Sequence, residues 1–142
     1  MLQLADSEYK SEDITKAVLQ KPLNKDCYSG AMYADVLLAT KLRGFSVVKS
    51  WSPIDQKATR EGFVNVPVLQ ATKPESSFTF RFTGNAVGIA IVSGPDAGSI
   101  EYRIDNGQSK TLSLFTKWSN SLHLPWYLIL SDGLQSGGHE LA

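Results

Sequence analysis

Between residues 76 and 130 apolar and polar positions alternate in short runs broken by turn residues. In residues 76–82, Phe78, Phe80 and Phe82 share one side and Thr79 and Arg81 the other. A period of two sets one row of side chains against a core and the other toward water, so this run predicts a half-buried strand. Residues 86–92 are apolar on both sides, with Val87, Ile89 and Ile91 bulky and Ala86, Gly88 and Ala90 small. That composition predicts a central strand covered on both faces. Residues 93–98, with two glycines and a proline, cannot continue it and form a turn.

Ile100, Tyr102 and Ile104 share the next face, ahead of the hairpin signal Asp105-Asn106-Gly107. A two-residue turn would set Tyr102 opposite Thr111 and send Leu112 and Leu114 to the wrong face. A three-residue loop sets Tyr102 opposite Lys110 and Ile100 opposite Leu112, with every large aliphatic side chain inward. The expectation is therefore a type I turn with Gly107 left-handed in a G1 bulge. Residues 116–121 are polar and irregular around Trp118. In residues 122–130, Leu124, Trp126, Leu128 and Leu130 fall on one face. Pro125 cannot donate a ladder hydrogen bond and places its end at an edge or bulge. Residues 139–142 resume as a last short strand.

Upstream, residues 2–20 carry the only helical pattern, with Ser11 as its cap, Ile14, Ala17 and Val18 at helical spacing, and Pro22 ending it. Residues 31–39, 45–51 and 63–69 read as strands, the last broken by Pro67 and hence an edge. Seven or eight strands with frequent turns predict an all-β chain. Its form is an antiparallel β-sandwich, jelly-roll-like, with a short N-terminal helix. Residues 1–21 are then a helical linker or the remnant of a preceding domain, and residues 22–142 the sandwich.

A chain of 142 residues suits one domain with a real core. Its 14 basic and 14 acidic side chains balance, so no basic stripe marks a nucleic-acid or anionic-membrane partner. No apolar run approaches the ~20 residues a membrane span needs. The single cysteine, Cys27, forbids an internal disulfide and is expected as a small buried hydrophobe. Residues 1–10 are polar and acidic, so the chain is intracellular or its export signal lies outside this piece.

Candidate chemistry is sparse. The two histidines are His123 and His139. Asp96 or Asp132 would orient His123, but no serine sits in a Gly-x-Ser-x-Gly elbow, and a structural histidine is the better reading. Residues 84–88 open a strand, not a helix, so they are no nucleotide fingerprint. Asp96, Asp105 and Asp132 are explained by turn geometry without calcium. No catalytic residue, cofactor or metal is expected. The aromatics are the stronger lead. Trp51, Phe115, Trp118, Trp126 and Tyr127 include flat rings of the kind that stack on sugars, with Trp126 expected in the core and Trp118 at the surface.

The series formed by residues 93–98, 100–105, 114–119 and 122–126 (Leu-His-Leu-Pro-Trp) resembles the accessory β-sandwich beside the catalytic domain of some bacterial SGNH (GDSL-type) hydrolases. The likeness covers residues 63–141. The hydrolase's own Gly-Asp-Ser and Asp-x-x-His blocks are missing. The resemblance therefore implies a non-catalytic appendage of a secreted or periplasmic esterase or lipase-like enzyme, carbohydrate-binding-like by analogy with other jelly rolls. Its partners would be the hydrolase domain of the same parent chain and a glycan. Asp96, Trp118, His123, Trp126 and Tyr127 would bind ligand or dock the domains. The alternatives are a structural module that docks on the hydrolase and completes its cleft, or one in which His123 with Asp96 serves that active site.

Overall fold

The computed structural model describes residues 21, 23–24, 27–60 and 65–142. The helix expected at residues 2–20 lies outside them. The chain divides into two units, Met1–Ala31 and Met32–Ala142. In the first, Tyr28–Gly30 forms a single 3-10 turn, and the thiol of Cys27 donates to the Ser29 hydroxyl at 3.1 Å. Cys27 is exposed, not buried as expected. Tyr28 and Ser29 beside it in the turn are exposed as well.

The second unit is built from strands, nearly all antiparallel. They are β1 (Thr40–Arg43), β2 (Phe45–Val48), β3 (Ala58–Thr59), β4 (Val68–Ala71), β5 (Ser77–Gly84), β6 (Val87–Ser93), β7 (Ser99–Tyr102), β8 (Lys110–Ser113), β9 (Leu122–Ser131) and β10 (Gly137–Leu141). Residues 31–39 are not a strand. Asp35 accepts the Leu37 N–H at 2.8 Å and caps a 3-10 turn at Val36–Leu38, the local side-chain bond that lets aspartate compete with a ladder.

The phenylalanine strand β5 lies between β1 and β10, with Phe82 opposite His139 and Phe80 opposite Leu141. Phe78 meets Phe45 of β2 edge-on, with ring centres 5.2 Å apart. Such a pair adds about 0.5–1.5 kcal/mol beyond its buried area. β2 pairs β4, and beyond their ladder Trp51 donates to the Val66 carbonyl and accepts from the Asn65 N–H. β9 is the middle strand of a second three-stranded sheet: β6 pairs it antiparallel and β3 parallel. The Tyr102 hydroxyl donates to the Leu130 carbonyl at 2.9 Å, tying β7 to β9. Ala39, Trp51, Leu124, Leu130 and Leu141 are the buried apolar side chains among the described residues.

Two expectations need correction here. Among the described residues β6 has one neighbour, so it is an edge strand, not a central one. Val87 and Ile89 turn inward while Gly88 and Ala90 face out. The small residues serve a close approach: a Cβ on Gly88 would lie 2.7 Å from the Leu128 carbonyl oxygen. The hairpin register is as expected, Tyr102 opposite Lys110 and Ile100 opposite Leu112. Its turn is not. Gly107 is not left-handed; Asp105 is, at φ 51°. The reason is tertiary. Asp105 donates its N–H to Glu140 O and accepts the Glu140 N–H on its carboxylate, while Arg103 and Ala142 exchange two backbone bonds. Pairing with β10 captures the end of β7 and sets the conformation there.

Pro125 stands opposite Val92 of β6, and β3 covers only Leu122 and His123. The flank of β9 at Pro125 is open, as a residue without an N–H requires.

Candidate functional site

His123 is the second residue of β9 and almost fully buried. Its Nε2 lies 2.9 Å from Asp55 Oδ1. The same oxygen accepts the Lys57 N–H at 3.1 Å, closing a short local turn. Burial pushes the Asp55 carboxyl up, but the Lys57 N–H, the His123 hydrogen bond and the charges of both residues outweigh it. The net effect is a value below the usual carboxylate range. The Lys57 ammonium donates to the Asn120 carbonyl, which fixes the 55–57 turn to the chain just before β9. Trp51 packs edge-on against the imidazole at 5.4 Å. Nδ1 has no hydrogen-bond partner; Asp96 Oδ1 stands 3.7 Å away, beyond bonding distance. Neither ring nitrogen is bonded to a serine hydroxyl.

Asp96 thus lies near His123, as expected, but Asp55 is the partner that holds it. Nothing local in the sequence marks a pairing across 68 positions.

The aromatic residues separate into three groups. Trp51 is buried with His123. Tyr127 lies on the opposite face of β9 from Trp126, exposed, with Tyr33 tilted over it at 6.2 Å. The Tyr127 hydrogen bond is the main cause that raises the Tyr33 phenol above its ordinary value. Phe115, Trp118 and Trp126 come together with Leu128, Ser113, Thr116 and Lys117 around an open hollow of about 400 Å³. Trp126 is 40% exposed and Trp118 54% exposed. The core position expected for Trp126 is therefore corrected. It shares the row of Leu124 and Leu130, which are buried, but its own ring lies at the hollow beside the loop after β8. The Lys117 ammonium sits 4.7 Å from the Trp118 ring centre.

The loop that presents Trp118 is held from below by hydroxyls. Ser93 and Ser119 have no exposed surface. Ser93 Oγ donates to the Leu114 carbonyl, so Ser119 must be the donor in the 2.6 Å Ser93–Ser119 bond. Thr116 is then the donor to Ser119, and Thr116 Oγ1 accepts the Trp118 N–H. Each proton is used once, and the chain runs from the Trp118 backbone into the core.

His139 forms a second carboxylate pair, with Nδ1 2.7 Å from Asp105 Oδ2 and Nε2 2.8 Å from the Gln135 carbonyl. The Asp105 hydrogen bond, then that of Gln135, raises His139 above its ordinary value; the same bond lowers Asp105. The raised histidine stabilises the fold fully below its unfolded value near ~6.5, and this is lost as pH rises through its folded value. The depressed aspartate stabilises above its unfolded value near ~3.9, and this is lost as pH falls through its folded value. His139→Gln is expected to cost most stability between about pH 4 and about pH 6.5, and progressively less above that window. Urea midpoints at about pH 5 and about pH 9 check this; an equal loss at both would contradict it.

Among the described residues no cluster of three His, Cys, Asp or Glu side chains is arranged to hold a metal, and no helix is long and apolar enough to cross a membrane. Comparison of the chain with protein-family models, with curated proteins and with solved structures finds no match.

Proposed function

We propose that this chain is a non-catalytic β-sandwich module of the jelly-roll type that binds carbohydrate through Phe115, Trp118 and Trp126. Its parent would be a secreted or periplasmic bacterial SGNH (GDSL-type) hydrolase, whose catalytic domain is the second partner. The observation that carries the binding reading is the exposure of two tryptophans and a phenylalanine around one hollow. Leaving these side chains 40–54% exposed forgoes part of the about 1.5–3 kcal/mol that full burial of a large apolar side chain supplies. Flat apolar faces beside hydroxyls suit a pyranose, which has an apolar face and a polar rim. The hydrolase connection rests on the sequence resemblance alone. What supports a non-catalytic role is the state of the histidines: His123 is buried on Asp55, and His139 is paired with Asp105.

Trp118→Ala is expected to weaken binding to plant or bacterial cell-wall oligosaccharides by roughly ten-fold or more, the scale of an aromatic anchor. Its urea midpoint should change little, because the side chain is mostly exposed. Titration followed by tryptophan fluorescence measures the first. If the chain binds no oligosaccharide, but captures a separately produced SGNH domain and loses it with Trp118→Ala, the hollow is a docking face instead.

A further inference from the structure

The charge of the hollow narrows the ligand. Among its lining residues Lys117 is the one that carries a charge, and no carboxylate is present. The Lys117 ammonium is held over the Trp118 indole at 4.7 Å, so its position is tied to the aromatic platform. Cation–π contact of this kind keeps a lysine charge near a ring and leaves its ammonium protons available to an acceptor. The cation lies over one face of Trp118, and Trp126 and Phe115 stand at the same hollow. Ser113 and Thr116 supply hydroxyls at the same rim.

We infer that this site prefers acidic saccharides, in which a carboxylate on the sugar ring pairs with Lys117 while the ring's apolar face lies on Trp126. The inference rests on the carbohydrate-binding reading and adds the ligand class to it. The rest of the chain is electrically balanced, so the preference arises from this one side chain and not from a general basic surface. A neutral glycan would find the same stacking and hydroxyl contacts without the ion pair. An exposed ion pair is worth up to about 1 kcal/mol, so the preference should be up to about five-fold and should fade with salt.

The test uses the full chain with oligogalacturonates as the acidic probe and xylo- and cello-oligosaccharides of matched length as neutral ones. The wild-type chain is expected to bind the oligogalacturonates more tightly at low salt. Lys117→Gln should remove that preference, read as the ratio of acidic to neutral affinity in the same variant. Lys117→Arg should keep it. Trp126→Ala should weaken both classes together. Equal binding of both classes, or a preference that survives Lys117→Gln, overturns the acidic assignment but leaves the platform standing. Binding of neither class overturns the carbohydrate reading and this inference with it.

Discussion

Gly94→Ala is expected to destabilise the protein by about 2–3 kcal/mol, the cost of forcing volume into a packed site. A Cβ at this position would lie 2.8 Å from Cγ of His123 and closer still to Nδ1 and Cε1. The imidazole cannot retreat. Asp55 holds it at Nε2, Trp51 closes one side, and its backbone is paired with Thr59 of β3. The penalty is local, which gives a control within the same turn. Gly98 has nothing within 4 Å of an added Cβ, so Gly98→Ala should be close to neutral. The double variant Gly94→Ala/His123→Ala should lose less than the sum of its parts, because the methyl enters space that the ring has left. Urea midpoints at constant slope measure these three variants and the single His123→Ala. Equal effects of Gly94→Ala and Gly98→Ala would mean that the turn, and not the histidine, sets the requirement. Nδ1 is buried without a hydrogen-bond partner, and a Cβ at residue 94 would be driven against it.

The same site shows where sequence reasoning reaches its limit. The strand pattern was legible because a period of two is a local property: the phenylalanines of β5 and the register of β7 on β8 follow from which rows are apolar. Conformation at Asp105 was not, because it depends on β10, which arrives 32 residues later and bonds to both the backbone and the carboxylate. The status of β6 failed for a related reason. An apolar run on both faces says that small residues are needed, not whether they admit a third strand or the close approach of one neighbour. In β6 they do the latter, at Leu128. Trp126 falls in the apolar row of its strand, with Leu124 and Leu130 buried on either side of it, yet its ring lies at the hollow beside the loop after β8. Asp55 carried no signal at all. Its role depends on a two-residue parallel pairing, Ala58–Thr59 with Leu122–His123, that no periodicity could reveal. Trp118 was readable as a surface residue because its neighbours in sequence are polar.

Ser119→Ala is expected to cost about 2 kcal/mol although it deletes a single oxygen, because that oxygen serves three bonds in a fully buried place. Without it the Thr116 N–H and hydroxyl lose their acceptor and Ser93 loses a donor. Ser93 cannot turn to water instead, since it has no exposed surface, and Thr116 is only half-buried at the rim of the hollow. Ser93→Ala should cost a similar amount by leaving the Leu114 carbonyl without its side-chain donor, and the pair should couple in a double-mutant cycle because they share a bond. The functional consequence separates this network from ordinary core packing. Ser119 does not line the hollow, but Thr116 accepts the Trp118 N–H, so the position of the indole depends on it. Ser119→Ala should therefore increase hydrogen exchange at the Trp118 amide and weaken oligosaccharide binding under conditions where the variant is still fully folded. Leu124→Ala, a core truncation of comparable or larger cost, should leave that amide and the binding unchanged under the same conditions. If both variants affected binding equally, the hollow would be reporting global stability and the hydroxyl chain would have no special part in presenting Trp118.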